Sequence, residues 1–324
     1  MVQQKKHKVL IIKVGYSETL APEISNVTSY GDVLRSTVIL NLYKDNHVTW
    51  LVDEKAYPIL KGNPHIDRIL IYNISSVLQI QSESFDTVVN LEKVPGLCAL
   101  ADSINAWRRY GFRFDAKTGD AEAYDGSHSV LDICRNAEKK KEAAAYWQEG
   151  LFEMVGAKWD GEEYILGYKP RSKNKYDIGF NYEVGNKWPL KAWPMDAWKK
   201  LEAIIGKRYT VSWQQGLESI EKYFEWISSC RLVVTNDSFG MHVAIALKKP
   251  TVALFGPTPH GENYLYGLGS IVHPEDLKCE EFPCRVNKCI HYKENCMELI
   301  KPETVMKEID KIMGKALEPS PAGR

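Results

Sequence analysis

Four short polar stretches hold residue types that could do chemistry. Each follows a run that reads as a buried strand, the first of them after a long loop, Gly15–Tyr30. The first is Gly31-Asp32, which opens a helix. A carboxylate there can accept a proton from a hydroxyl, and Asp is equally at home as a helix N-cap. The second is Asn186-Lys187-Trp188-Pro189-Leu190-Lys191-Ala192-Trp193-Pro194. A lysine in a strand-to-helix loop can neutralise a phosphate, helped by N–H groups at the helix start. The alternative is an exposed lysine between packing tryptophans. The third is Thr235-Asn236-Asp237-Ser238-Phe239-Gly240-Met241-His242. Its carboxylate can hold a sugar hydroxyl, and the N–H groups after it can hold a diphosphate. The same residues also read as a helix cap followed by a satisfied core histidine. The fourth is the tight turn Gly256-Pro257-Thr258, a weak signal taken singly. A separate cluster, Cys279, Cys284, Cys289 and Cys296, has the spacing C-x4-C-x4-C-x6-C. Four thiolates in one loop can bind zinc, with iron as a second choice and His291 as a substitute ligand. Disulfides are disfavoured in a reducing cytosol. Cys98, Cys134 and Cys230 read as buried small residues.

The elements that must position these groups alternate strand with helix. Strands are expected at Lys8–Val14, Val48–Val52, Arg68–Ile71 and Phe85–Asn90, and helices at Asp32–Tyr43, Glu54–Leu60 and Pro95–Trp107. Arg113–Ser129 looks irregular, and Ala137–Val155 reads as one strong helix. After the polar segment Gly167–Lys175, the best linker candidate, the alternation restarts. Strands are expected at Tyr176–Asn181, Tyr209–Ser212, Arg231–Thr235 and Thr251–Phe255. Helices are expected at Met195–Ile205, Leu217–Ser229 and Phe239–Leu247. Strands alternating with helices imply βαβ units, hence an α/β class with parallel sheets. The last eight residues read as a frayed tail. In open sheets of this kind, ligands bind at the carboxyl ends of the strands. All four polar stretches are expected there, converging on an interdomain cleft.

Composition narrows the function classes. A length of 324 residues suits about two domains, and 44% hydrophobic with 26% charged residues is ordinary for a globular chain. Lys plus Arg (42) equals Asp plus Glu (42), so global charge gives no case for nucleic acid. No apolar run suits a membrane span. The basic, then apolar N-terminus reads as a first strand rather than a signal peptide, because Lys13 interrupts it and no small-residue cleavage site follows. That reading places the chain in the cytoplasm. GxGxxG and Walker A are absent after the first strand, which lowers the case for a dehydrogenase or P-loop NTPase.

In order and spacing, TSYGDVLRST, VTWLVDEKAYPILKGNPHIDRILIY, KAWPMDAWKKL, RLVVTNDSFGMHVAIALKKPTVALFGPT and KPETVMKEI resemble glycosyltransferase family 9, the bacterial heptosyltransferases of the lipopolysaccharide inner core. The likeness runs from Val9 to about Ile312. It implies a GT-B fold, two Rossmann-like domains facing across a cleft: residues 1–170 on the acceptor side, and residues 171–324 binding the nucleotide sugar. The second would carry the cysteine loop 279–296 and a final helix that in the family often returns to the first domain. The resemblance implies an inverting transfer of heptose from ADP-heptose to a hydroxyl of a glycan or lipid-linked acceptor, with no catalytic metal or cofactor. Any zinc or iron at the cysteines would be structural. Asp32 would be the general base, with Ser29, Tyr30 and Gly31 on the acceptor side. Lys191 would bind donor phosphate and Asp237 the sugar. Ser238 and its neighbouring N–H groups, with His242, would line the diphosphate. Phe239, Gly240, Gly256 and Thr258 complete the donor set, with Asn186 or Lys187 in place of the family's usual hydroxyl residues. Any membrane contact would be peripheral, at the inner face of the cytoplasmic membrane. Two departures stand out. Gly15–Val27 looks like an insertion on the acceptor side, and Phe239 replaces a glycine. The rival readings are transfer of another nucleotide-activated sugar to a glycan, natural product or protein, a catalytically silent nucleotide-sugar-binding scaffold, and a GT-B epimerase.

Overall fold

The computed structural model describes residues 6–16, 27–136, 138–139, 145–275, 277, 279–280, 282, 284, 288–289 and 295–317. Most of the Gly15–Val27 segment, His291 and nearly all of the last eight residues lie outside them. The chain divides into two compact units at Lys169/Pro170.

The first unit is built on a six-stranded sheet in the order β3-β2-β1-β4-β5-β6. Its strands are β1 (Lys8–Ile12), β2 (His47–Val52), β3 (Arg68–Ile71), β4 (Ser84–Asn90), β5 (Asn105–Phe114) and β6 (Ala121–Ala123). All neighbours run parallel except β5 and β6. β1 reads KVLII and is buried from Val9 onward, as a central parallel strand covered on both faces must be. Leu10 and Ile12 pack with Leu51, Val88 and the residues Leu97, Leu100 and Ala101 of α4 (Pro95–Ser103), which follows α2 (Tyr57–Leu60) and α3 (Ile74–Gln81) along the chain.

The helix expected over Asp32–Tyr43 is α1 (Tyr30–Ser36) followed by a 3-10 segment, Thr37–Leu42. The change falls where Ser36 Oγ donates to Asp32 O (2.6 Å) and Thr37 Oγ1 to Leu34 O (2.6 Å). Hydroxyls bonding back to the preceding turn, followed by β-branched Thr37, Val38 and Ile39, favour the tighter winding. The expected helix Pro95–Trp107 stops at Ser103. Arg109 donates to the carbonyls of Ala101 and Ala106, and from Asn105 the chain pairs with β4 instead. The stretch expected to be irregular after Arg113 holds a hairpin. Asp115 Oδ1 accepts from Lys117 N (3.0 Å), and Asp115 N donates to Asp120 O (2.9 Å), returning the chain into β6. After α5 (His128–Arg135), the helix expected over Ala137–Val155 is interrupted at residues 145–146 and continues as α6 (Trp147–Glu153); Ala137 and residues 140–144 lie outside the described residues. Tyr146, with extended backbone, caps α6, and Glu149 Oε2 accepts from its N–H (2.8 Å) as in a capping box.

The second unit holds a five-stranded parallel sheet in the order β11-β10-β9-β7-β8. Its strands are β7 (Tyr176–Asn181), β8 (Val211–Trp213), β9 (Cys230–Asn236), β10 (Thr251–Leu254) and β11 (Gly269–Val272), the last not expected from sequence. Its helices are α7 (Met195–Ile205), α8 (Ile220–Ser229), α9 (Phe239–Ala246) and α10 (Pro302–Leu317). Ser219 sets the start of α8 by accepting from Lys222 N (3.2 Å). α9 is buried from Gly240 to Ile245, and apart from His242 it is apolar all round. α10 packs against α7, with Val305, Met306, Ile309 and Met313 in one core with Trp198, Leu201 and Ile205.

Each unit is thus an α/β layer structure of the Rossmann-like kind expected for GT-B. In each, the strand order reverses once: between β1 and β4 in the first unit, and between β7 and β9 in the second. The carboxyl ends of those strands are where such sheets bind ligands.

Candidate functional site

At the reversal point of the second unit, the chain gathers Asn181 (end of β7), Asn236 (end of β9), Asp237, Ser238 and Lys191. Lys191 ends a 3-10 turn, Pro189–Lys191. Its Nζ lies 2.8 Å from Asp237 Oδ2, with both side chains largely buried. Thr258 Oγ1 donates to the same carboxylate oxygen (2.7 Å). Burial by itself would raise the Asp237 carboxyl. The charge and hydrogen bond of Lys191, the Thr258 hydroxyl and the charge of His242 outweigh it and hold Asp237 below the ordinary carboxylate range. Asp237, Lys191, Thr258 and His242 therefore form one electrostatic group.

Two asparagines position that group. Asn236, fully buried, accepts from Trp193 N (3.1 Å) and donates to Tyr182 O (2.7 Å), so it ties the Lys191 loop to β7 and β9. Trp193 Nε1 donates to Ile300 O (3.0 Å) and fixes the loop from its other side. Asn181, also fully buried, donates to Thr235 Oγ1 (2.8 Å) and Ser238 Oγ (2.9 Å) and accepts from the Tyr223 hydroxyl. Asn181 was not expected. Its only sequence signal is an amide ending a buried strand. Ser238 is the N-cap residue of α9, but its side chain makes no cap hydrogen bond.

Other expected residues fall into place around these. A side chain at Gly240 would collide with the Tyr223 hydroxyl and the Asn181 amide, so only glycine lets α9 approach. A side chain at Gly256 would strike the sulphurs of Met297 and Cys296. Phe239 stacks on Tyr223 (5.9 Å, 28°) and lies 6.2 Å from the Phe224 ring, so its ring is engaged with α8. Asn186 is exposed and Lys187 buried, and of the second motif's lysines it is Lys191 that meets Asp237.

The reversal point of the first unit carries a second polar group. Asp32 is 5% exposed and is the third residue of α1, while Ser29 holds the N-cap position. The capping role is therefore not Asp32's. Tyr30 and Gly31 are the first two residues of α1. Arg35 Nη2 stands 2.5 Å from Asp32 Oδ1 and Lys13 Nζ 4.0 Å from Asp32 Oδ2. The Arg35 guanidinium lies over the Trp147 ring of α6 (4.2 Å).

The cysteine loop touches the Gly256-Pro257-Thr258 turn. Cys284 N donates to Pro257 O (2.9 Å). The four cysteines are not joined in disulfides and are half-buried. Burial and the neighbouring Cys284, Cys289 and Cys279 push the Cys296 thiol up to about 12, so the four sulphurs share one neighbourhood. Among the described residues, no three His, Cys, Asp or Glu side chains are placed to hold a metal ion. No helix among them is long and apolar enough to cross a membrane.

Residues 216–293 match the sequence profile of glycosyltransferase family 9 (heptosyltransferase). Lipopolysaccharide heptosyltransferase 1 of Campylobacter coli is 21% identical over 347 aligned residues, covering 90% of this chain and 98% of that protein. Among solved structures, Escherichia coli ADP-heptose lipopolysaccharide heptosyltransferase II superposes with a TM-score of 0.68 at 16% identity, over 96% of this chain and all (100%) of that one. The iron-containing dodecameric glycosyltransferase TibC of enterotoxigenic E. coli H10407 superposes with a TM-score of 0.61 at 9% identity, over 97% of this chain and 77% of that one.

Proposed function

We propose that this chain, a member of glycosyltransferase family 9, moves heptose from ADP-heptose to a hydroxyl of a lipopolysaccharide acceptor, inverting the anomeric carbon. The observation that carries the donor side is Lys191, Asp237 and Thr258 joined at the β7/β9 reversal point beside the start of α9. Lys191 has three donors, so it can serve Asp237 and a phosphate oxygen together. Asp237 then faces the sugar hydroxyls, and Ser238 and the first N–H groups of α9 receive the diphosphate.

Asp32 is read as the general base. It takes the proton of the acceptor hydroxyl as that oxygen attacks the anomeric carbon. The bond from that carbon to the phosphate oxygen breaks, and ADP leaves with the electron pair. Negative charge grows on the departing diphosphate, so Lys191 and the α9 N-terminus stabilise the transition state more than the ground state. The reaction is read as metal-independent, using this chain's own groups, in the cytoplasm at the inner face of the membrane that carries the acceptor.

The cysteine loop is read as a structural clip. Four cysteines in one loop are a donor set of the chemistry that zinc or iron takes as thiolates. Among the described residues, no three of these side chains are placed together as ligands.

The test uses ADP-heptose and heptose-deficient lipopolysaccharide, following ADP release and sugar transfer. The wild-type chain transfers heptose, and Asp32→Ala lowers turnover about a hundredfold while still binding ADP. Wild-type turnover in Asp32→Ala removes Asp32 from the role. If ADP-heptose gives neither transfer nor a thermal shift while another nucleotide sugar gives both, the heptose reading falls.

A further inference from the structure

The polar group at the β1/β4 reversal point holds more charge than one base needs. Besides Asp32 and Arg35, it contains Lys13, 3% exposed, and Glu92, fully buried. Lys13 Nζ lies 3.4 Å from Glu92 Oε1 and 4.0 Å from Asp32 Oδ2, bridging the two carboxylates. Glu92 Oε1 also accepts from Gly15 N (2.5 Å) and Tyr16 N (3.3 Å). The Glu92 backbone is itself fixed. Its N–H donates to Asn90 Oδ1 (3.1 Å), and its carbonyl accepts from Asn90 Nδ2 (3.1 Å) and Cys98 Sγ (3.2 Å). Burying two carboxylates is costly unless each is paired, and here two cations balance two anions.

We propose that Lys13 and Glu92 are positioning residues for Asp32: Glu92 fixes Lys13 and the Gly15–Tyr16 backbone, and Lys13 in turn orients the Asp32 carboxylate and shares its charge with both. This rests on Asp32 being the base. With Lys13 and Arg35 both turned to it and no second anion nearby, Asp32 would be over-stabilised as a carboxylate and would accept a proton poorly. Glu92 divides the charge of Lys13 and keeps Asp32 reactive. The other titratable groups nearby are Tyr16, Tyr30 and Asp53. The Tyr16 hydroxyl donates to Asp53 Oδ2 (2.6 Å), and burial and Asp53 push both phenols up, so they stay neutral. Lys93, next to Glu92, lies over the Phe112 ring (5.1 Å).

The proposal requires two neutralising variants to act in opposite directions. Glu92→Gln keeps an acceptor for the Gly15 and Tyr16 amides but removes an anion. The acid limb of the kcat–pH profile should move down by about one pH unit, and kcat at neutral pH should fall about tenfold. Lys13→Met removes a cation, so the same limb should move up by about one pH unit. Glu92→Asp keeps the charge and should leave the limb in place. Each profile is measured on the full chain with ADP-heptose and heptose-deficient lipopolysaccharide, with ADP binding as the check on folding. A merely structural role predicts lower activity with an unmoved limb in both variants, and that result overturns the proposal. If either neutralising variant fails to bind ADP, the other is read against Glu92→Asp. An Asp32→Ala variant as active as wild type removes the premise instead, so the two failures are distinct.

Discussion

Replacing Lys191 by methionine should weaken ADP binding, and replacing Asp237 by asparagine should strengthen it. In the ligand-free chain, Lys191 Nζ sits 2.8 Å from Asp237 Oδ2. At an effective dielectric of about 20, that pair attracts by roughly 6 kcal/mol before desolvation is subtracted. A diphosphate entering the site therefore shares the charge of the lysine with Asp237 and also meets a like charge. Lys191→Met removes a charge-assisted hydrogen bond of about 1.5–3 kcal/mol to phosphate, a loss of about 13- to 160-fold in affinity. Asp237→Asn removes the anion that shares the charge of Lys191 and repels phosphate, so ADP should bind up to about tenfold tighter. ADP-heptose should not share the gain, because the sugar loses its carboxylate partner. Lys191→Met also strands a buried carboxylate, at a cost of about 3 kcal/mol in stability. The double variant should recover part of that loss in a thermal melt. Isothermal titration with ADP reads all three. An ADP affinity in Lys191→Met within about twofold of wild type would refute the placement of phosphate at this lysine. So would an Asp237→Asn variant that weakens ADP as much as Lys191→Met does.

Two further outcomes follow from other parts of the molecule. Arg68 grips Glu83 with both terminal nitrogens (2.9 and 2.8 Å), and those hydrogen bonds hold the Glu83 carboxyl below its ordinary 4.5. A depressed carboxyl stabilises the fold above its unfolded pKa, and that stability is lost as pH falls through the folded value. Glu83→Gln should therefore cost about 0.5–1 kcal/mol in urea unfolding at pH 7, with the difference shrinking as pH falls below 4.5; a difference that does not shrink as pH falls below 4.5 would refute this assignment. Metal analysis of purified protein should find about one zinc or iron per chain, and chelation should lower the melting temperature while ADP still binds. A metal-free chain with an unchanged melt would leave the cysteines as plain thiols.

The sequence alone determined the two alternating α/β halves and most of their strands. A strand such as β1 is apolar on both faces and can only be the interior of a parallel sheet. It also singled out the loops to which the proposed chemistry is assigned, since Asp32, Lys191, Asp237 and Thr258 all follow such strands. Where a boundary depended on a side chain bonding to its own backbone, sequence periodicity missed it. The 3-10 turn after Ser36 and the Asp115 hairpin are of that kind. The pairing of Lys191 with Asp237 and the bridge of Lys13 between Asp32 and Glu92 were decided only by the tertiary structure. Asp32 and Glu92 are 60 residues apart in sequence. They meet because β4 lies beside β1 across the reversal in strand order. A lone lysine ending an apolar run gives no sign of its partner, because the electrostatics of a buried charge are set by what the fold brings within a few ångströms of it.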